Sequence, residues 1–243
     1  MMHGDQQDRF DLSFCVPSEC ADRLADLRAD IGIVPCAELP RLNLTAIPGT
    51  GIASEGPVRS ILLVSKVPID QIRVLAADSS SRTSVMLARI VLARKYGAEP
   101  VIVSMRPDLP LMLESADAAL IIGDPALQLD PETIPFHTLD LGSEWTGMTG
   151  LPMVFAVWAG RPELISSGIE DAFTGSCDFG LAHLDEIARL SAPARGFSEP
   201  LVQQYLHRNI IFKLDERHYR GMRLFLELAE SIRTTEPLGK VSA

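Results

Sequence analysis

Val74-Leu75-Ala76-Ala77-Asp78-Ser79-Ser80-Ser81-Arg82-Thr83-Ser84 is the most informative stretch of this 243-residue chain. Its first four residues are apolar and read as a buried strand; the polar run behind them reads as a tight turn. From Ser84 the spacing of Leu87, Ile90 and Val91 puts an apolar stripe on a helix, which Gly97 closes at its C′ position. A strand that passes through hydroxyls into a helix start aims free N–H groups and the positive end of the helix dipole at one point. Several hydroxyls and an Arg gathered there suit a carboxylate or a phosphate. The competing reading is helix capping, for which Asp and Ser are among the best residues, but a cap needs only one of them.

Outward from this segment, short apolar runs alternate with helix-period segments. Residues 10–16 alternate like a strand, and Pro17-Ser18-Glu19 opens a helix with Ala21, Leu24 and Ala25 on one face. Ile31-Gly32-Ile33-Val34, residues 60–64, Val101-Ile102-Val103 and residues 118–122 read as further core strands. Continuous apolar strands separated by helices imply an α/β protein with a largely parallel sheet covered on both faces. From Pro162 the chain is expected to be mostly helical, its last helix burying Met222, Phe225, Leu226 and Ala229. Residues 61–64 follow Gly56-Pro57, and residues 154–157 follow Gly150-Leu151-Pro152. Both are expected to be crossings between two lobes. The first lobe would hold residues 1–64 with 158–243 and the second residues 65–157, with a ligand cleft between them.

Composition narrows the partners. Lys+Arg number 22 against 32 Asp+Glu, a net charge of −10, which argues against nucleic acid or an anionic membrane as partner. With 47% hydrophobic residues the chain can build a sizeable core. The longest apolar run, residues 153–159, is too short to span a bilayer, and the polar start has no secretory h-region, so a cytoplasmic location is expected. Cys15, Cys20, Cys36 and Cys177 form no C-x-x-C pair and the five His are scattered, so neither a metal site nor another cofactor is expected. A nucleophile elbow, a P-loop and a dinucleotide fingerprint are all absent from the sequence.

Three further segments could carry ligand contacts. Ala53-Ser54-Glu55-Gly56-Pro57-Val58-Arg59-Ser60 offers close backbone approach and donors at Arg59 and Ser60, or is simply a turn feeding a strand. Ile122-Gly123-Asp124-Pro125-Ala126-Leu127 turns a strand end into a helix, where Asp124 either orients a hydroxyl or caps. Trp145 is either an aromatic wall or core.

Together with Val16-Pro17-Ser18-Glu19, Glu38 and the run from Asp140-Leu141-Gly142 to Phe155-Ala156-Val157-Trp158-Ala159, these strings resemble the chorismate dehydratase family of the futalosine route to menaquinone. The resemblance runs from Phe10 to about Leu228. It implies a two-lobed type II periplasmic-binding-protein-like fold with a central ligand cleft. It also implies a hydro-lyase that needs no cofactor and converts chorismate, a small dicarboxylate, to the enolpyruvyl ether of 3-hydroxybenzoate. Ser79 and Ser81 would then be catalytic, and Ser80, Arg82, Thr83 and Ser84 would bind a carboxylate. Ser54, Arg59 and Ser60 would face them, while Gly123, Asp124 and Trp145 would shape the pocket. A homodimer is one option for the assembly. Members of that family normally begin with a further strand ending in an Asn-x-x-Pro-Leu-like turn, which has no counterpart here. The expectation is a start set too far downstream or a truncated chain short of one pocket wall. A non-catalytic small-anion binding protein of the same fold is the alternative.

Overall fold

The computed structural model describes residues 1–78 and 82–235. Among the described residues nine strands run in the order β1 (Ile31–Pro35), β2 (Thr45–Ser54), β3 (Ile61–Ser65), β4 (Val74–Asp78), β5 (Val101–Met105), β6 (Ala118–Ile122), β7 (His137–Asp140), β8 (Met153–Gly160) and β9 (Ile211–Lys213). The helices of the first two thirds are α1 (Pro17–Ala25), α2 (Leu39–Leu42), α3 (Arg82–Val91), α4 (Leu109–Ser115), α5 (Gly123–Leu127) and α6 (Leu141–Thr149). In the described part of the last third, apart from β9, the regular structure is helical, with α7 (Ser167–Ala182), α8 (Leu184–Ala194), α9 (Glu199–Gln204) and α10 (Glu216–Thr235).

The strands form two sheets. The first has the order β1-β8-β2-β9 and every pairing in it is antiparallel. The second has the order β5-β4-β6-β3-β7, with β4 parallel to β5 and β6, and β3 antiparallel to β6 and β7. The largely parallel sheet expected from the sequence is therefore corrected to one antiparallel and one mixed sheet. In the first sheet β8 runs between β1 and β2 and is antiparallel to both.

Two crossings join the sheets. Residues 61–64 lie wholly within the second sheet, and residues 154–157 within the first. The expected boundaries at 64/65 and 157/158 thus fall inside β3 and β8. The chain passes between sheets through residues 55–60 and through α6 with the turn after it. Arg217, at the start of α10, holds both passages: its guanidinium bonds the Glu55 carboxylate and, at 3.0 Å, the Gly150 carbonyl.

The residues expected to form a strand at 10–16 have no regular structure beyond a bend at Phe10, and Phe14 and Val16 are exposed. Alternation there reflects a largely solvated segment in which Phe10 packs edge-on against Phe173 and Cys15 touches the core. The helix expected after Asp78 is present and ends through a π turn at Gly97, whose φ of +66° is the left-handed closing conformation.

One apolar core runs through both sheets. Val34 and Val157 of the first sheet join Leu63, Leu75 and Leu120 of the second, with Leu87 and Ile90 of α3 and Phe225 of α10 between them. Alternation along β3 sends Leu62 and Val64 to the opposite face, where Met112, Leu113 and Ala126 from α4 and α5 cover them. The second sheet is thus covered on both faces.

Candidate functional site

Strand direction decides where the site residues meet. In the second sheet β4 and β6 are parallel, so Asp78 and Ile122 end at the same edge. β3 runs the other way, and its first residue, Ile61, pairs with Ile122 at that edge. Leu62 pairs with Asp140, which brings the end of β7 there too. The start of α3, the crossing loop 55–60, the Gly123-Asp124 turn and the start of α6 therefore all open on one edge of one sheet. Ligands of α/β sheets bind outside such strand ends.

At the centre of this edge Asp78 is buried and α3 begins at Arg82. Ser79, Ser80 and Ser81, including both residues expected to be catalytic, lie outside the described residues. Thr83 and Ser84 are buried. The Thr83 hydroxyl accepts the Ala37 N–H at 3.3 Å, and the Cys36 thiol beside it donates to the Val154 carbonyl at 3.0 Å. Burial pushes that thiol up to about 12, so it is neutral at physiological pH.

Arg82 departs from its expected role as an open carboxylate grip. Its guanidinium already donates to Glu38 at 2.6 Å and to Asp22 at 3.2 Å. Glu38 is buried and also accepts from Arg41 at 2.7 Å. Desolvation opposes the Arg82 charge, but the two carboxylates outweigh it and hold the guanidinium above the ordinary arginine range. Arg82 thus fastens the start of α3 to α1 and to the Cys36–Glu38 turn, elements that pack on the first sheet.

The crossing loop is built from backbone bonds. Asp140 caps α6 by accepting the Ser143 N–H at 3.0 Å, and the same carboxylate accepts the Val58 and Arg59 N–H groups at 3.0 and 2.6 Å. Arg59 sits at φ +66°, and its guanidinium reaches away from the edge to the Ala126 and Leu129 carbonyls behind α5. Ser54 is buried, donating to the Gly56 carbonyl at 3.2 Å. Ser60 accepts from the Tyr205 hydroxyl at 3.0 Å, and its carbonyl accepts the Gly123 N–H at 2.8 Å. Desolvation raises the Tyr205 phenol above its usual range, against a smaller opposing effect of Ser60, so it remains a donor. Asp124 pairs with Arg195 at 2.7 Å.

The structure therefore brings Arg59, Ser60, Gly123 and Asp124 together, and Ser54 against the start of α6. Besides Arg82, two of the expected contacts are corrected. The Arg59 guanidinium is spent on α5 carbonyls, and Trp145 is fully buried, donating to the Pro152 carbonyl at 3.1 Å and packing edge-on against Phe225. Trp145 is core. Asp140 and Tyr205 have no role in the sequence expectation. Asp140 carried a legible cap signal just ahead of a helix, whereas Tyr205 lies 145 residues from Ser60 and had none. Among the described residues no group of three or more His, Cys, Asp or Glu could hold a metal ion.

Comparison with known proteins shows the family and the fold. A sequence-family model described as menaquinone biosynthesis matches residues 1–231. The chain belongs to this menaquinone-biosynthesis family. A relative, the chorismate dehydratase of Thermus thermophilus, is 30% identical over 205 residues, which is 76% of this chain and 73% of that protein. Among solved structures, an Archaeoglobus fulgidus protein superposes with a TM-score of 0.68 at 17% identity, covering 91% of this chain and 85% of that one. The periplasmic aliphatic sulphonate binding protein SsuA of Escherichia coli gives 0.61 at 15% identity, over 91% and 76%. At such identities the likeness is one of fold, so this family member has a periplasmic-binding-protein-like fold. Among the described residues no helix is long and apolar enough to cross a membrane.

Proposed function

We propose that the protein is a chorismate dehydratase that works in the cytoplasm on the futalosine route, eliminating water from chorismate to give the enolpyruvyl ether of 3-hydroxybenzoate. The substrate comes from the named relative, and one geometric observation supports it in this chain. The β4 end, the start of α3, the 55–60 loop and the Gly123-Asp124 turn share one sheet edge. The two sheets with their covering helices would act as the lobes, and the substrate would lie between them.

Chorismate carries two carboxylates, and loss of its ring hydroxyl with the hydrogen on the ether-bearing carbon makes the ring aromatic. The protein's task is then to hold a dianion, exclude rearrangement and help oxygen leave, for which positioning and fixed donors are the available means. The start of α3 receives one carboxylate. Ser79 or Ser81 donates a hydrogen bond to the departing hydroxyl, which takes the C–O electron pair and leaves as water once it receives the proton released from the ring carbon. The substrate's own enolpyruvyl carboxylate accepts the ring proton, and the electrons of that C–H bond enter the ring. Arg82 and Arg59 act as positioning residues, through Glu38 and α5 respectively.

The test is to incubate the protein with chorismate and follow the ultraviolet spectrum. Conversion to an aromatic spectrum is expected, with a loss of roughly 100-fold or more for whichever of Ser79→Ala and Ser81→Ala removes the donor. Saturable binding of chorismate with no spectral change would replace the enzyme with a binding protein. Near-normal turnover in both Ser variants would refute the assigned donor.

A further inference from the structure

Cys15 and Cys20 meet at the start of α1 for a local reason. Val16 is the N-cap of that helix, and its carbonyl accepts the Cys20 N–H at 3.0 Å. Cys15 is therefore the residue just before the cap, and Cys20 the fourth residue of the helix. Side chains at those two positions fold against each other where a chain enters a helix, a pairing that apolar residues usually fill. Here both are free thiols. A further contact holds the incoming chain in place, since the Arg23 guanidinium in the last turn of α1 donates to the Ser13 hydroxyl at 3.0 Å. Cys20 is buried with its sulfur seated over Gly32 of β1, where an added Cβ would lie 2.3 Å from it. Cys15 packs against the same core but is only partly buried. Burial pushes the Cys20 thiol up to about 11; Cys15 adds to this by its charge and by accepting the Cys20 S–H, while Arg23 opposes it.

We propose that Cys15 and Cys20 form a redox modification site, joined reversibly into a disulfide by hydrogen peroxide. Cys15, the more accessible thiol, reacts first. Its sulfur attacks one peroxide oxygen, the O–O bond breaks, and a Cys15 sulfenic acid and one water result. The Cys20 sulfur then attacks the Cys15 sulfur. The S–S bond forms, the S–O bond breaks, and the hydroxide leaves with the Cys20 proton as a second water. The two thiols together lose two electrons, which reduce the peroxide. A sulfur of high pKa is a strong nucleophile once ionised, and the Arg23 charge favours that ionised form. Because the loop it closes is short, the bond gains little from chain entropy and a dithiol reductant reverses it. The site lies on the helix whose Asp22 fastens Arg82 at the start of α3. The proposal does not depend on the dehydratase reading.

The test treats the reduced full chain with hydrogen peroxide in small excess, alkylates the remaining thiols and maps the peptides. Cleavage after Arg9 and Arg23 releases residues 10–23, which contain Cys15 and Cys20 and no other cysteine. That peptide should escape alkylation and be lighter by two hydrogens than its reduced form. Further cleavage after Glu19 should leave two halves that stay joined until dithiothreitol is added. In Cys20→Ala, Cys15 should stop at the sulfenic acid and be trapped by dimedone; in Cys15→Ala, Cys20 should resist the same dose of peroxide. Unfolding temperatures check that both variants fold, and the parent digest decides by itself if either does not. Cys15 accumulating as sulfenic or sulfinic acid in the parent, with Cys20 still a thiol, would overturn the pair. So would a disulfide from either residue to Cys36, to Cys177 or to a second chain, or a fully alkylated peptide 10–23 under a dose that oxidises a small dithiol.

Discussion

Arg59 combines a backbone cost with two kinds of compensation. A long side chain at φ +66° sits in a region that costs on the order of 1 kcal/mol. Its N–H and that of Val58 are captured by Asp140, while its guanidinium ties down carbonyls behind α5. Asp140→Ala removes the cap of α6 and both loop bonds, so a loss of about 2 kcal/mol or more is expected in urea unfolding. A change below a few tenths would show that the loop holds its shape without the carboxylate. Cys36 gives a second check at this scale. With its pKa pushed up to about 12, only about one thiol in ten thousand is ionised at pH 8. Maleimide should leave Cys36 untouched in the native protein and label it after denaturant is added; prompt native labelling would contradict the burial. The sequence shows that Arg59, Ser60 and Asp124 are polar residues at turns. It does not show that Arg59 turns to α5 or that Arg82 is taken up by Glu38 and Asp22, because those partners lie far away in the chain.

Elements were legible where the local pattern was also the tertiary pattern. β6 matches its expected span, since five small or branched apolar residues covered on both faces have no other comfortable conformation. β2 was missed because Pro48, Gly49 and Gly51 interrupt it and its register with β8 shifts between Ala46 and Gly51. Close approach between elements left a different trace, in glycines. A Cβ on Gly221 of α10 would lie 2.1 Å from the Pro152 carbonyl oxygen, whereas one on Gly147 of α6 would meet nothing within 4 Å. Gly221→Ala should therefore destabilise the protein by about 1–3 kcal/mol. Gly147→Ala, in an open helical position, should be neutral or stabilise by about 0.5–1 kcal/mol. Thermal unfolding of the pair checks both, and equal effects would refute the packing of α10 on the second crossing.

For the whole molecule, the joint between sheets is fastened from outside by a helix late in the chain. Arg217 bonds Glu55 and the Gly150 carbonyl, and Asn209 donates to the Pro57 carbonyl at 2.9 Å. Arg217→Ala is expected to speed amide hydrogen exchange at residues 55–60, while β4 and β6 keep their protection. Faster exchange throughout the second sheet would mean that this residue supports global stability rather than the joint. The α/β class was readable as an alternation of strands and helices, but the split into two sheets in place of one largely parallel sheet was not. The antiparallel first sheet was not, because nothing local tells β1 and β2 that their common partner comes more than a hundred residues later.

That shared partner also sets an order of assembly. β1 and β2 form no ladder with each other; each pairs with β8. All five strands of the second sheet, by contrast, are complete at Asp140. On the ribosome the later-numbered sheet can therefore close first, while the two earlier strands emerge and wait unpaired until residues 153–160 arrive. For that interval the nascent chain carries a finished unit preceded by two open edges, and it is there that a chaperone would find something to hold.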